Sequence, residues 1–180
     1  MRGPLSLTLL LLALGQVWGC AVTMPYSVYE DKRLVDTITD DKSITASIKT
    51  ALLQADFTGG WSVSSYCYYG KVFLIGEVPP NMRAKAVEIA KNTKGVRSVT
   101  THWFPPSTGG ENNLVLATKL RTHLIGTKGV SSTRVDTQVN AGRVVLLGVV
   151  NDEEEKQAII RAAKETSGVR SVTSYLMFPQ

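Results

Sequence analysis

The sequence offers little of what catalysis and metal binding need: it has two cysteines, two histidines and no apolar run long enough to cross a bilayer comfortably. His102 and His123 have no cysteine or carboxylate at ligand spacing, which removes a metal shell from consideration. Each reads as a strand or helix-flank residue. There is no phosphate-binding glycine loop, since "STGG" at 107–110 lacks the lysine and the helix that such a loop requires. There is no nucleophile elbow either, because "GVSST" at 129–133 lacks the second glycine. An enzyme needs a nucleophile with its base, a metal shell or paired acids in a cleft. The densest acidic cluster, Asp152 to Glu155, falls at a helix start, where carboxylates complement the exposed amides and the helix dipole. The chain therefore reads as a non-enzyme that binds something, with no cofactor and no metal.

Its N-terminus is more informative. Residues 1–19 carry one basic side chain, Arg2, then the apolar run "LSLTLLLLAL" and small or apolar residues up to Cys20, the layout of a secretory signal peptide. "VWGC" at 17–20 resembles a bacterial lipobox, although Trp18 is large for its slot. That resemblance implies cleavage before Cys20 and attachment of diacylglycerol to its thiol, and Ala21, in place of the aspartate that retains lipoproteins in the inner membrane, favours the outer membrane. Loss of Arg2 lowers the formal charge from +5 to +4, with no basic run anywhere. A nucleic-acid partner is not expected for an exported chain of this kind, whereas weak attraction to anionic lipid is. With Cys20 lipidated, Cys67 has no partner and reads as a small buried core residue.

The second half repeats the first. "GVRSVT" stands at 95–100 and again at 168–173, "GKVFLIGEV" at 70–78 meets "GRVVLLGVV" at 142–150, and "SIKTALL" at 47–53 meets "KLRTHLI" at 119–125. The offset is 72 residues up to the end of the apolar run and 73 beyond it, the extra residue lying where Pro79-Pro80 is matched by Asn151-Asp152-Glu153. That is a turn, where length changes are tolerated. Residues 20–39 read as a lipidated N-terminus and tether, 40–104 as the first unit, 105–112 as a linker rich in turn formers and 113–180 as the second unit.

In the first unit Ile44, Ile48, Ala51, Leu52 and Ala55 recur at helical spacing after Asp40-Asp41 and Ser43, which can cap the start. Val63, Ser65, Cys67 and Tyr69 alternate, and Gly70 turns the chain into "KVFLIGEV", a hairpin. Asn81 to Lys94 reads as a second helix with Gly95 as its C-terminal cap, and "VRSVTTHWF" as a third strand. The second unit repeats this order, with helices at about 113–127 and 152–166. Each αββαβ unit should be a three-stranded mixed sheet with both helices on one face, an α+β fold. "VFLIG" and "VVLLG" are apolar at consecutive positions, so both faces of those strands need cover and the units are expected to pack on each other or on their tethers. This order, the glycine between the strands, the "GxV.L.G.V" strand and the closing "GVRSVT" resemble the BON domain. With the signal, the cysteine and the tether, the chain is similar to dual-BON outer-membrane lipoproteins, a family that implies phospholipid binding, support of outer-membrane integrity and a lipid-anchored position facing the periplasm.

One difference between the copies points to a surface. Leu116, Leu120 and Leu124 line the core face of the second unit's first helix, as Ile44, Ile48 and Leu52 do in the first unit. On the opposite face the first copy carries Lys42, Ser43, Ala46, Ser47 and Thr50, an ordinary solvated surface apart from Leu53. The second carries Leu114, Val115, Thr118, Thr122 and Ile125, rimmed by Lys119 and Arg121. An apolar strip flanked by cations suits a helix lying in the headgroup boundary of an anionic phospholipid membrane. It would also suit packing against the first unit or a second molecule. The resemblance implies the lipid contact. A periplasmic chaperone or scaffold that contacts outer-membrane or cell-wall proteins is the other reading. RNA binding is set aside on compartment and because no GxxG clamp joins two helices.

Overall fold

In the computed structural model, residues 33, 35–107 and 112–180 are described. Cys20, expected to be lipidated, the expected signal peptide and much of the expected tether lie outside them. The first unit runs α1 (Val35–Ala55), α2 (Phe57–Trp61), β1 (Val63–Tyr68), β2 (Lys71–Gly76), α3 (Pro80–Asn92) and β3 (Ser98–Trp103). The second runs α4 (Asn113–Gly126), a 3₁₀ turn (Ser132–Arg134), β4 (Val135–Asn140), β5 (Arg143–Val149), α5 (Glu153–Glu165) and β6 (Ser171–Met177). In each sheet the central strand pairs antiparallel with the strand before it and parallel with the strand after the helix.

The hairpin turns explain two of the repeated glycines. Tyr69 and Gly70, and likewise Ala141 and Gly142, all have positive φ, so both central residues of each turn are left-handed, as a two-residue turn matched to the strand twist requires. Each turn is held from two sides. Arg97 N–H donates to Gly70 O and Arg170 N–H to Gly142 O, locking the third strand to the hairpin. From the first helices, Asp41 accepts the Tyr69 and Gly70 N–H groups, and Asn113, at the equivalent position, accepts the Ala141 N–H at 2.8 Å.

Asp41 also corrects the expected start of the first helix. The helix begins at Val35, taking in residues 35–39 that read as tether, and Ile38 extends its buried stripe. Asp41 lies buried in that stripe, paired with Arg33 at 2.6 Å and accepting from the Cys67 thiol at 3.1 Å. A carboxylate at a core position hides the apolar period. Asp40 and Ser43 are accordingly inside the helix and cap nothing. Gly95 is not the residue directly after α3: the cap is Thr93, and Gly95 supplies the positive φ of the turn beyond it, where Val96 N–H meets Thr93 O. Cys67 is buried, and burial with the Asp41 carboxylate pushes its thiol pKa far up, which makes it an inert core residue.

Each central strand divides its side chains between two cores. Val72 and Leu74 face α1 and α3 with Ile44, Ile48, Leu52 and Met82, and Val144 and Leu146 face α4 and α5 with Leu120, Leu124 and Ile159. The alternate residues, Phe73, Ile75, Val145, Leu147 and Val149, meet in a third core with Tyr68 and Phe104. The two sheets therefore pack face to face, with the helices of each unit outside, and this covers the second apolar face of "VFLIG" and "VVLLG". Polar ties frame the shared core. Tyr68 Oη donates to Asp136, Asn140 Nδ2 donates to Glu77 at 2.8 Å, and Glu77 also accepts the linker's Ser107 N–H at 3.0 Å.

Candidate functional site

With the sheets buried on each other, the surface left to a partner is helical. Helix α4 starts where Asn112 Oδ1 accepts the Leu114 N–H at 2.9 Å, and Asn113 is engaged by the hairpin turn, so the first turn is fixed at both residues. Leu116, Leu120 and Leu124 are fully buried beneath it. The face opposite is open: Leu114 is 74%, Ile125 64% and Val115 46% exposed, and Thr118, Lys119, Arg121 and Thr122 are exposed too. All seven residues singled out from sequence thus share the solvent side of one helix. The first unit does not cover them, because the units meet through their sheets.

Arg121 has a second role that sequence reasoning missed. Its Nη1 donates to Ser132 O at 2.8 Å and Val135 O at 3.2 Å, tying α4 to the 3₁₀ turn and the start of β4. Lys49, its counterpart, donates to Gly60 O at 2.7 Å and Val63 O at 3.0 Å in the first unit. The cation at this place is a strut for the chain entering the hairpin. Its signal was in the repeat, as "SIKTALL" and "KLRTHLI" both keep a base there.

The acidic cluster has the structural explanation expected of it. Asp152 caps α5, accepting the Glu155 N–H at 2.8 Å, and Glu155 is buried against Arg134 at 2.8 Å. His102 lies in β3 with Nδ1 3.3 Å from Tyr175 Oη, and His123 Nδ1 in α4 is 3.0 Å from Thr166 Oγ1. Among the described residues no group of three or more His, Cys, Asp or Glu could hold a metal, and no helix is long and apolar enough to cross a membrane. A groove of about 1280 Å³ runs beside α1 past Asp40, Ser43, Ser47, Lys94 and Arg97. It joins a few hydroxyls and charges without a nucleophile–base pair.

A second exposed apolar feature was missed as well. Phe57 and Trp61 on α2 are 69% and 62% exposed, with ring centroids 6.2 Å apart and planes at 84°. "FTGGW" was legible as a departure from the repeat, since the second copy reads "GVSST" at the same offset.

The family model described as "BON domain" matches residues 40–102 and again 112–178. The chain is 28% identical over 149 residues to osmotically-inducible protein Y of Escherichia coli, covering 79% of this chain and 74% of that protein. Among solved structures it is similar to CdsD, a structural protein of the type III secretion system of Chlamydia trachomatis, at 14% identity and a TM-score of 0.33. That match covers 77% of this chain and 63% of the other, so it spans less than two thirds of that protein.

Proposed function

The chain belongs to the BON-domain family, and from that premise we propose that it is a non-enzymatic lipoprotein of the outer membrane, anchored through Cys20 and facing the periplasm, which binds anionic phospholipid through α4. The observation that carries the reading is the strip Leu114, Val115 and Ile125, left in solvent although every other long apolar face of the second unit is covered. Threonines fill the strip between them and Lys119 stands on its rim. Such a face gains by lying in the headgroup boundary, where each cation contributes only about 1 kcal/mol. Binding is accordingly weak and salt-sensitive, and the acyl anchor holds the helix at its target. Support of outer-membrane integrity fits this position, and the name of the E. coli relative links a similar protein to osmotic stress.

The experiment is vesicle flotation with a chain beginning at Ala21, which keeps every helix and strand described. It should float with phosphatidylglycerol vesicles and lose this with Leu114→Asp plus Val115→Asp. Lys119→Glu should weaken it and flatten its salt dependence. Arg121 is left intact because it carries two backbone carbonyls. A folded Leu114→Asp, Val115→Asp chain that floats like the parent removes α4 as the membrane face. Indifference of the parent to lipid, with capture of outer-membrane or cell-wall proteins, replaces the reading by that of a periplasmic chaperone or scaffold. Labelled fatty acid appearing in a Cys20→Ser chain would refute the anchor.

A further inference from the structure

We infer that the α2 turn of the first unit is a second membrane contact, in which Phe57 and Trp61 enter the headgroup boundary of an anionic bilayer while Lys85 meets its phosphates and Lys49 holds the turn in place. The inference rests on the membrane reading of α4 for its setting and on separate residues for its substance.

The turn is built to hold two aromatic rings outward. Asp56 caps it by accepting the Gly59 N–H at 2.9 Å, and Lys49 closes its other end on Gly60 O and Val63 O. Gly60 packs directly on α1: a Cβ there would stand 2.7 Å from the Leu52 carbonyl. The turn is thus pressed against the helix with no side chain between, and residues 57 and 61, four apart, project together. Their T-shaped contact fixes each ring against the other. Little rotamer freedom remains to be lost on binding.

The core does not require these rings. In the second unit the same places are held by Gly129 and Thr133, a 3₁₀ turn at Ser132–Arg134 stands where α2 would be, and the αββαβ order is kept. The most exposed apolar side chains lie on α2 in the first copy and along α4 in the second. Charge indicates the occupant. Lys49 Nζ lies 5.1 Å from the Trp61 ring centroid, and Lys85 Nζ sits at Ala55 O, 2.9 Å away, just before the turn. Asp56, the carboxylate next to the turn, is engaged as the cap. Aromatic rings beside an exposed lysine that spends one donor on Ala55 O match the chemistry of the bilayer boundary. The rings also form a convex knob, which a fluid headgroup layer accommodates directly, whereas a polypeptide would have to supply a matching pocket.

Trp61 is its own reporter. In a chain beginning at Ala21 with Trp103→Phe it is the sole tryptophan. Adding vesicles of equal parts phosphatidylglycerol and phosphatidylcholine should shift its emission to the blue, and brominated acyl chains should quench it. Phe57→Ser with Trp61→Ser, both exposed sites, should weaken vesicle binding at least about tenfold with the fold unchanged by circular dichroism. Vesicles that bind the protein yet leave Trp61 emission and quenching as in buffer overturn the inference and leave α4 standing. A serine pair that does not float beside a Leu114→Asp, Val115→Asp pair that does supports α2 and removes α4. A Trp61 that responds to the permanently unfolded polypeptide carboxymethylated lactalbumin and not to vesicles overturns the membrane contact in favour of a peptide-binding turn.

Discussion

Gln138 Nε2 donates to the hydroxyl of Tyr66, and the two residues occupy the same place in the two copies of the repeat. His102 and Tyr175, equivalent at the offset of 73, meet in the same way. Contacts between a position and its own counterpart are the mark of an isologous interface, here enclosed in one chain. Phe73 and Val145, also equivalent, belong to the core between the sheets.

A shared core makes the two units fold as one. Thermal unfolding is therefore expected as a single transition with calorimetric and van't Hoff enthalpies in agreement. Val145→Asp, which buries a charge where the sheets meet, should separate or abolish it. Two resolved transitions in the parent would show that the units stand independently.

His102 sets the pH dependence of that interface. Burial holds its pKa below the ordinary value, so the folded protein prefers the neutral ring that packs on Phe104 and Tyr175. The unfolded chain takes up a proton first as pH falls through the ordinary histidine range. Stability from His102 is thus fully present above about pH 6.5 and declines below it. Melting temperatures at pH 7.5 and pH 5 should differ less in His102→Gln than in the parent. An equal or larger difference would locate the dependence elsewhere.

The glycines of the central strands are required by neighbouring backbone. A Cβ at Gly76 would lie 2.2 Å from Ser62 O, and one at Gly148 2.1 Å from Arg134 O. Gly76→Ala should cost about 1–3 kcal/mol through overpacking. Gly148 also has φ +138, so Gly148→Ala should cost more, by about another 1–3 kcal/mol of backbone strain. Urea denaturation of the two variants checks the order. Equal losses would mean that the φ at Gly148 relaxes freely.

These constraints explain what the sequence could reveal. Left-handed turns at Gly70 and Gly142, close approaches at Gly76 and Gly148, and turns at Gly95 and Gly168 each admit few residues, so both copies keep the same letters and the αββαβ order is readable. The packing of the units was readable because Phe73 and Ile75 are apolar on the face that a lone unit would give to solvent. The start of α1 was not, since Asp41 interrupts its stripe. The α2 turn, five residues long, is too short to show a period. Of the candidate lipid face, helical spacing gave the position of each residue, while the carbonyls that occupy Arg121 come from a turn ten or more residues away, so only the base kept at the same place in both copies hinted at them.

One site was solved differently by the two copies, which makes it open to exchange. Glu155 is buried in an ion pair with Arg134, both side chains 4% exposed, and it also accepts the Ser131 and Asn151 N–H groups. The first unit has Met82 and Ser62 at these places, with Met82 in its core. Glu155→Ala strands a buried guanidinium and should cost about 3–5 kcal/mol. Arg134→Ser with Glu155→Met removes both charges and reproduces the first unit, so the double variant should lose less than either single one. It still leaves the Ser131 N–H without its acceptor. In the first unit Asp56 serves the equivalent Gly59 N–H, and Lys128 stands at the place of Asp56. Adding Lys128→Asp should therefore recover a further ~1 kcal/mol, the ordinary worth of a helix-type cap. Asn151 is exposed, and water can meet its N–H. Chemical denaturation of the single, double and triple variants measures the coupling. If the double variant is as unstable as the sum of the single ones, the pair is not a self-contained unit, and the surrounding packing of the second copy has adapted to charge.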